Sequence, residues 1–176
     1  MKYAITGHTS GIGKAFCNLQ DVKENYIGFS RSNGYDISNA KDRKRIIAES
    51  KDCDVFINNA YSLHYQTDLL YELYKQWHKF SKIIINIGSD ATDRINKQPF
   101  PYAIHKAALE AASLQLGNTD SQCKVSVIKF GWVGTRKILR DVNPKKFIKV
   151  EKSADIILQI IELNKIHNVR AITVLP

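Results

Sequence analysis

The 176-residue chain is short of the features that mark most specialised classes of protein. It has three cysteines, Cys17, Cys53 and Cys123, far apart in the sequence and with no CxxC pair. They cannot form a closed disulfide framework or a zinc motif and are expected to be reduced residues of the core or of helix faces. No uninterrupted apolar run exceeds three residues, whereas a spanning helix needs about twenty, so no transmembrane helix is expected. The opening MKYAITGHTSG turns to glycine and polar residues too early for a signal peptide, and the expected compartment is the cytoplasm. There is no internal repeat, no low-complexity tract and no linker. With 44% hydrophobic and 24% charged residues, the chain has the composition of one globular domain over 1–176, large enough to bury a core without a metal or disulfide staple.

What is present in excess is positive charge, +9 in all, with denser stretches at 41–45 (KDRKR) and from Arg136 to Lys152. Such a balance invites nucleic acid, an anionic membrane or a phosphate-bearing ligand. Neither stretch interleaves aromatics with its basic residues as single-strand binders do. Both are expected to be solvated faces, with neither nucleic acid nor membrane as partner.

Short β-rich segments lie at 2–6, 26–30, 54–58, 82–88, 124–130 and 170–175, and a further very short strand is expected through Tyr35-Asp36-Ile37. Segments with helical spacing fall between them, near 12–20, 40–50, 66–80, 102–117 and 153–163. This alternation predicts an α/β fold: a doubly wound parallel sheet of six to seven strands, of the Rossmann type. Ligands of such sheets bind at the carboxyl ends of the strands.

The unusual residues cluster at those ends. After the first strand comes Thr6-Gly7-His8-Thr9-Ser10-Gly11-Ile12-Gly13. Glycines spaced GxxxGxG allow a tight turn, close approach of a pyrophosphate and close packing of the next helix, whose amino end favours phosphate. Arg31, 18 residues after Gly13, ends the second strand between Ser30 and Ser32, where no carboxylate stands. An acidic residue there would hold a ribose 2′-hydroxyl, while an arginine accommodates a 2′-phosphate, so NADP is favoured over NAD. Asp36 is the rival carboxylate, but it lies beyond the Ser32-Asn33-Gly34 turn.

Four motifs in order give the chain a resemblance to the short-chain dehydrogenase/reductase family over nearly its whole length: TGxxxGIG at 6–13; Asn58-Asn59-Ala60-Tyr61, similar to NNAG; Ser89 followed by Tyr102-Ala103-Ile104-His105-Lys106, a YxxxK; and Phe130-Gly131-Trp132-Val133-Gly134-Thr135, similar to PGxVxT. The resemblance implies a catalytic set of Ser89, Tyr102 and Lys106. It also implies a cofactor site of Gly7, Ser10, Gly11, Ile12, Gly13, Ser30, Arg31, Ser32, Asp36, Ile37, Asn59, Ala60, Val133 and Thr135, with Tyr102 and Lys106 contributing. No metal is expected.

The chemistry makes sense residue by residue. Tyr102 and Lys106 are one helical turn apart and share a face. A free tyrosine has a pKa of about 10, too high to exchange protons well at neutral pH. A cation about 4 Å away, at an effective dielectric of ~20, is worth roughly 4 kcal/mol, or about 3 pK units, so Lys106, helped by an oxidised nicotinamide, is expected to bring Tyr102 toward neutrality. Ser89 would donate to the substrate oxygen. The expected activity is NADP-dependent interconversion of a carbonyl and an alcohol on a small molecule. A non-catalytic NADP(H)-binding regulator is the alternative.

The chain also departs from the family. Residues 66–80 contain no asparagine to match the family's fourth catalytic residue, and Gln66 or Thr67 lies nearest its place. The segment that closes over the substrate, 136–150, is short and basic. His105 inside YxxxK is expected to face outward from its helix. The apolar stripes of 66–80 and 102–117 exceed what the sheet needs, and by family resemblance they pair with symmetry mates in a homodimer or homotetramer.

Overall fold

A computed structural model of the chain describes residues 1–94, 98–135 and 147–176. Six parallel strands form one sheet: β1 (Tyr3–Thr6), β2 (Tyr26–Phe29), β3 (Val55–Asn58), β4 (Ile83–Ser89), β5 (Lys124–Phe130) and β6 (Ala171–Val174), in the order β2-β1-β3-β4-β5-β6. Five helices connect them: α1 (Gly11–Cys17), α2 (Ala40–Glu49), α3 (Tyr65–Trp77), α4 (Pro101–Gly117) and α5 (Val150–Ile166).

Side chains alternate across each strand, and each face meets its own helices. Tyr3, Ile5, Val55, Ile57, Ile83, Ile85, Ile87, Ile128 and Phe130 share a core with Phe16 and Cys17 of α1 and Ile157, Ile160 and Ile161 of α5. Ala4, Phe29, Phe56, Ile84 and Val125 face Ile46 of α2, Leu69, Leu70, Leu73 and Trp77 of α3, and Leu109 and Leu116 of α4. Central β4 is buried at every position, while the edge strands β2 and β6 are only partly covered. All three cysteines are unpaired and buried.

Local signals set the helix starts. Pro101 opens α4, where its missing N–H costs nothing. The Asn39 side chain caps α2 by accepting from Lys41 N–H at 2.9 Å.

Tyr35-Asp36-Ile37 is not a strand. The chain after β2 makes a single 3-10 turn, Arg31–Asn33, followed by Gly34 at φ +85°. The segment does not pair with the free outer side of β2, which therefore stays the sheet edge. Ile37 is buried in the α2–α4 core instead, and the Asp36 N–H donates to Asp42. The basic run at 41–45 is likewise not wholly a solvated face. Arg43 is 7% exposed, and its guanidinium donates to Glu72 of α3 and to the Ile37 carbonyl, tying α2 to both.

The strand order reverses around β1, which has β2 on one side and β3 on the other. The carboxyl ends of β1 and β3 therefore flank a crevice, the usual ligand position of an open α/β sheet.

Candidate active site

The turn after β1 closes on itself. Gly7 and Gly11 have φ of +73° and +52°, which glycine adopts without strain. A Cβ at Gly13 would sit 2.3 Å from the Gly7 carbonyl oxygen, so only glycine fits there. Thr6 Oγ1 accepts from the N–H groups of Asn59 and Ala60, both at 3.0 Å, and the Asn59 side chain donates to the Thr6 carbonyl at 2.9 Å. These bonds brace the β1 turn against the end of β3. Thr6 opens the TGxxxGIG motif but is not among the expected site residues, and this bracing is its role.

Two clefts open at the strand ends. One, of about 600 Å³, is lined by Gly7, Ser10, Gly11, Ile12, Ser30, Arg31, Ser32, Asp36, Ile37, Asn59, Ala60, Tyr61 and Thr135. The other, of about 690 Å³, is lined by Ile12, Asn59, Tyr61, Ser89, Asp90, Arg94, Phe100, Tyr102, Lys106, Phe130, Trp132, Val133 and Thr135, among others. Ile12, Asn59, Tyr61 and Thr135 border both, so the two form one crevice. Gly13, expected in the cofactor site, lines neither cleft. Of the expected substrate-covering segment, 136–146 falls outside the described residues.

At the first end Ser30 caps the 3-10 turn. Its N–H donates to Asn33 Oδ1 at 2.7 Å, and its hydroxyl lies 2.8 Å from that of Ser32. Arg31 is exposed on this turn. The Asp36 carboxylate accepts from the Ser38 N–H and hydroxyl, which hold its pKa below the ordinary value, and the Arg31 charge adds to the effect.

At the second end Ser89 closes β4, and its oxygen accepts from the Ala91 N–H at 3.2 Å. Burial pushes the Tyr102 phenol above its ordinary pKa; a hydrogen bond with Ser89 pulls it back in part, and Tyr61 pushes it up again. Lys106 is 3% exposed, and its ammonium donates to Gln66 Oε1 at 2.8 Å and to the Ile87 carbonyl at 2.7 Å. Burial lowers its pKa to about 7. The expectation that Lys106 lowers Tyr102 is thus reversed here. The amine lies 5.8 Å from the centre of the Tyr102 ring and is held by carbonyls, while burial disfavours the charged form of both groups.

Gln66, one of the two residues that the sequence places nearest the absent asparagine, is buried beside Lys106. Its amide nitrogen donates to the Asn58 carbonyl at 2.6 Å and to that of Ile87 at 3.3 Å, and the Asn58 side chain donates to the Gln66 carbonyl and to Asn86. The four residues hold the lysine in a fully buried polar network. His105 does not face outward alone: its Nδ1 is 2.9 Å from the Tyr61 hydroxyl. The Tyr61 ring in turn packs edge-on against Tyr102, with centroids 4.8 Å apart. Behind Ser89, Lys129 bridges Asp93 at 2.6 Å and Glu110 at 2.9 Å, which fastens the β4–α4 loop to α4. Among the described residues no group of three or more His, Cys, Asp or Glu could hold a metal, and no helix is long and apolar enough to cross a membrane.

By sequence, the chain matches no protein-family model and has no significant match among curated proteins. Its structure does match solved ones. An alcohol dehydrogenase from the archaeon Thermococcus sibiricus, complexed with 5-hydroxy-NADP, superposes with a TM-score of 0.77 at 17% identity, over 99% of this chain and 96% of that one. A small-chain dehydrogenase in complex with NADPH gives 0.79 at 19% identity, over 99% and 96%. A short-chain dehydrogenase from Burkholderia cenocepacia, in complex with NADP, gives 0.76 at 14% identity, over 98% and 95%. The fold is that of the short-chain dehydrogenases. In this chain Ser89, Tyr102 and Lys106 all lie on the wall of one of the two clefts.

Proposed function

We propose that the chain is a short-chain dehydrogenase/reductase that interconverts a carbonyl and an alcohol on a small molecule with NADP(H). One observation carries the reading. Ser89, Tyr102 and Lys106 converge on a cleft that runs, past Ile12, Asn59, Tyr61 and Thr135, into a second cleft edged by the glycine turn and Arg31. The reading carries with it a cytoplasmic location and no nucleic-acid or membrane partner.

The residues present fit a phosphorylated dinucleotide. Arg31, with the Ser30 and Ser32 hydroxyls, offers donors for a 2′-phosphate at the open end of the first cleft. Asp36 uses one carboxylate oxygen on Ser38, which leaves the other for an adenine amine. Lys106 has three donors and spends two on Gln66 and Ile87, leaving one for ribose hydroxyls. Val133 and Thr135 border the second cleft, where a carboxamide would lie. When bound, NADP(H) supplies or accepts the hydride.

In the reducing direction Tyr102 is the acid. Its raised pKa keeps the phenol protonated at neutral pH, ready to hand its proton to the substrate oxygen as negative charge grows there. Ser89, on the wall of the same cleft, donates to the same oxygen. Gln66 and Ile87 hold the Lys106 ammonium beneath the Tyr61 and Tyr102 rings, 5.4 and 5.8 Å from their centres. Phe100, Trp132 and Tyr61 give the substrate side aromatic walls, and the Asp90–Arg94 ion pair gives it a polar rim.

An NADPH-oxidation screen over a panel of aldehydes and ketones, with Tyr102→Phe as the blank, tests the proposal. Turnover by the wild type that the blank lacks supports it. Tight NADPH binding with no turnover across the panel would favour the regulator instead. The α3–α4 face, with Tyr71 and Leu114 exposed, supports a two-fold dimer. A mass in light scattering that stays at the 20.0 kDa of one chain at all micromolar concentrations would exclude it.

A further inference from the structure

A second cavity lies at the other end of the sheet, away from the crevice. It is a groove of about 950 Å³ between the last turns of α2 and α3, above the amino ends of β3 and β4. That is near the upper end of the volumes typical of small-molecule sites. Its apolar surface comes from Ile47, Ala48, Trp77 and Phe80. Trp77 forms the floor and is held edge-on against Phe56, whereas Phe80 is 56% exposed on the wall. A large aromatic left in water beside an open apolar groove marks a surface that something else covers.

The charges around the groove are one-sided. Lys44, Lys51, Lys75 and Lys82 line it, against Asp52 and Glu72. Glu72 is already taken by Arg43 at 2.9 Å. None of the four lysines has a carboxylate partner among the described residues. Lys82 is the best ordered of them. Its ammonium donates to the carbonyls of Lys51 at 2.5 Å and Cys53 at 2.7 Å and stands 4.4 Å over the Trp77 ring. Two of its three donors are used, so a fixed positive charge with one free N–H sits beside the apolar floor.

We infer that this groove binds a small amphipathic anion, a free molecule with one acyl chain or aryl body and a carboxylate head. The body lies along Ile47, Trp77 and Phe80, and the head is met by Lys82 from the floor and by Lys44, Lys51 and Lys75 from the rim. Burying Phe80 and the exposed part of the groove drives association, while the lysines select charge and sign. The site is separate from the crevice, so occupancy does not require a bound dinucleotide.

The probe is dodecanoate, below its micelle concentration. Trp132→Phe leaves Trp77 as the one tryptophan of a chain that has two, and its emission reads the groove. The expected result is a saturable one-to-one titration in which dodecanol and dodecyltrimethylammonium bind at least about tenfold more weakly, as loss of a charge-assisted hydrogen bond implies. Lys44→Glu/Lys75→Glu, two exposed positions that leave the core intact, is expected to weaken dodecanoate by at least about tenfold and leave dodecanol unchanged. Phe80→Ser is expected to weaken both. Calorimetry on the wild-type chain gives the stoichiometry, and circular dichroism verifies that each variant is folded. A titration that does not saturate, equal affinity for dodecanol, or undiminished binding by the folded charge-reversal variant would overturn the inference. So would uptake by phosphatidylglycerol vesicles in preference to free dodecanoate, which would make the groove a membrane contact.

Discussion

The two ends of the crevice are built on opposite principles. The first is a set of exposed side chains on a turn: Arg31 stands in water, and Ser30 and Ser32 are held by short bonds within the same few residues. The second is a buried network drawn from two strands and two helices, in which Asn58, Gln66, Asn86, Ile87 and Lys106 are hydrogen-bonded to one another, with Asn58 Oδ1 left without a partner. An exposed turn can recognise charge at little cost to the fold, because its groups are already solvated. A buried amine must be held by partners that nothing else in the chain supplies, so the cost of placing it falls on folding itself. The first end should therefore govern which dinucleotide binds, and the second whether chemistry follows. Substitutions at the two ends ought to separate in that way.

Tyr102→Phe should have the largest effect. It removes the ionisable hydroxyl and keeps the ring that packs on Tyr61 and Phe100. Positioned proton transfer is worth about 100- to 10,000-fold, and turnover on a substrate found by the screen should fall by that much. NADPH affinity, read by fluorescence titration, should stay within a factor of about three. Turnover retained within that same factor would show that the proton comes from elsewhere.

Next is the energetic cost of the buried lysine. The folded-state pKa of Lys106, about 7, lies below its ordinary 10.5. Between those values the unfolded chain holds a proton that the folded chain does not, so stability should rise with pH across this window, and below it the penalty is complete. Each pK unit corresponds to about 1.36 kcal/mol, which makes the full effect a few kcal/mol. Lys106→Met removes the titration but leaves Gln66 Oε1 and the Ile87 carbonyl without their donor, which costs about 1–3 kcal/mol at every pH. Thermal melts from pH 7 to 10 should show the wild type gaining several degrees relative to the variant, roughly 2–4 °C per kcal/mol. Groups common to both proteins, such as Cys17 with its thiol pushed up to about 12, cancel in the comparison. Parallel melting curves would mean that the lysine is not desolvated as the structure places it.

The contrast between the two ends also explains what could be read from the sequence. Strands, helices and the glycine turn are local patterns: short β-rich runs such as KIIINIG, helical spacing between them, a Gly triplet. Ser89, Tyr102 and Lys106 come forward through the family resemblance, which rests on short motifs of that local kind. The environment of Lys106 was not, since Gln66 is 40 residues away and meets it only because α3 packs against α4. The Tyr61–His105 bond, 44 residues apart, was hidden for the same reason, and so was the burial of Arg43 against Glu72. Tyr35-Asp36-Ile37 has strand composition, but it follows a 3-10 turn and buries Ile37 among residues of α2, α3 and α4 instead of pairing with β2, a choice made by long-range packing. Spacing alone put a cation near a phenol and so suggested a lowered Tyr102 pKa. Burial decided the sign, and burial is a property of the packed fold.

Arg31→Ala gives the smallest effect and the sharpest test of the first end. A charge-assisted pair with a 2′-phosphate is worth about 1.5–3 kcal/mol when well formed, and exposure to solvent reduces that. NADPH should bind about tenfold more weakly to the variant, while NADH, which lacks the phosphate, should bind as before. Turnover at saturating NADPH should not change, because Arg31 lies on the cleft that Tyr102 and Lys106 do not line. Asp36 sharpens the point. Its carboxylate is held ionised by Ser38, with Arg31 close enough to add to the effect, so the two charges partly offset each other in the free protein. Asp36→Asn puts an amide NH2 where the free carboxylate oxygen would accept from an adenine amine, so it should weaken NADPH and NADH alike, unlike Arg31→Ala. Equal affinity of the wild type for NADPH and NADH, or an equal loss of both in Arg31→Ala, would place the dinucleotide's recognition elsewhere in the crevice and dissolve the division of labour between its two ends.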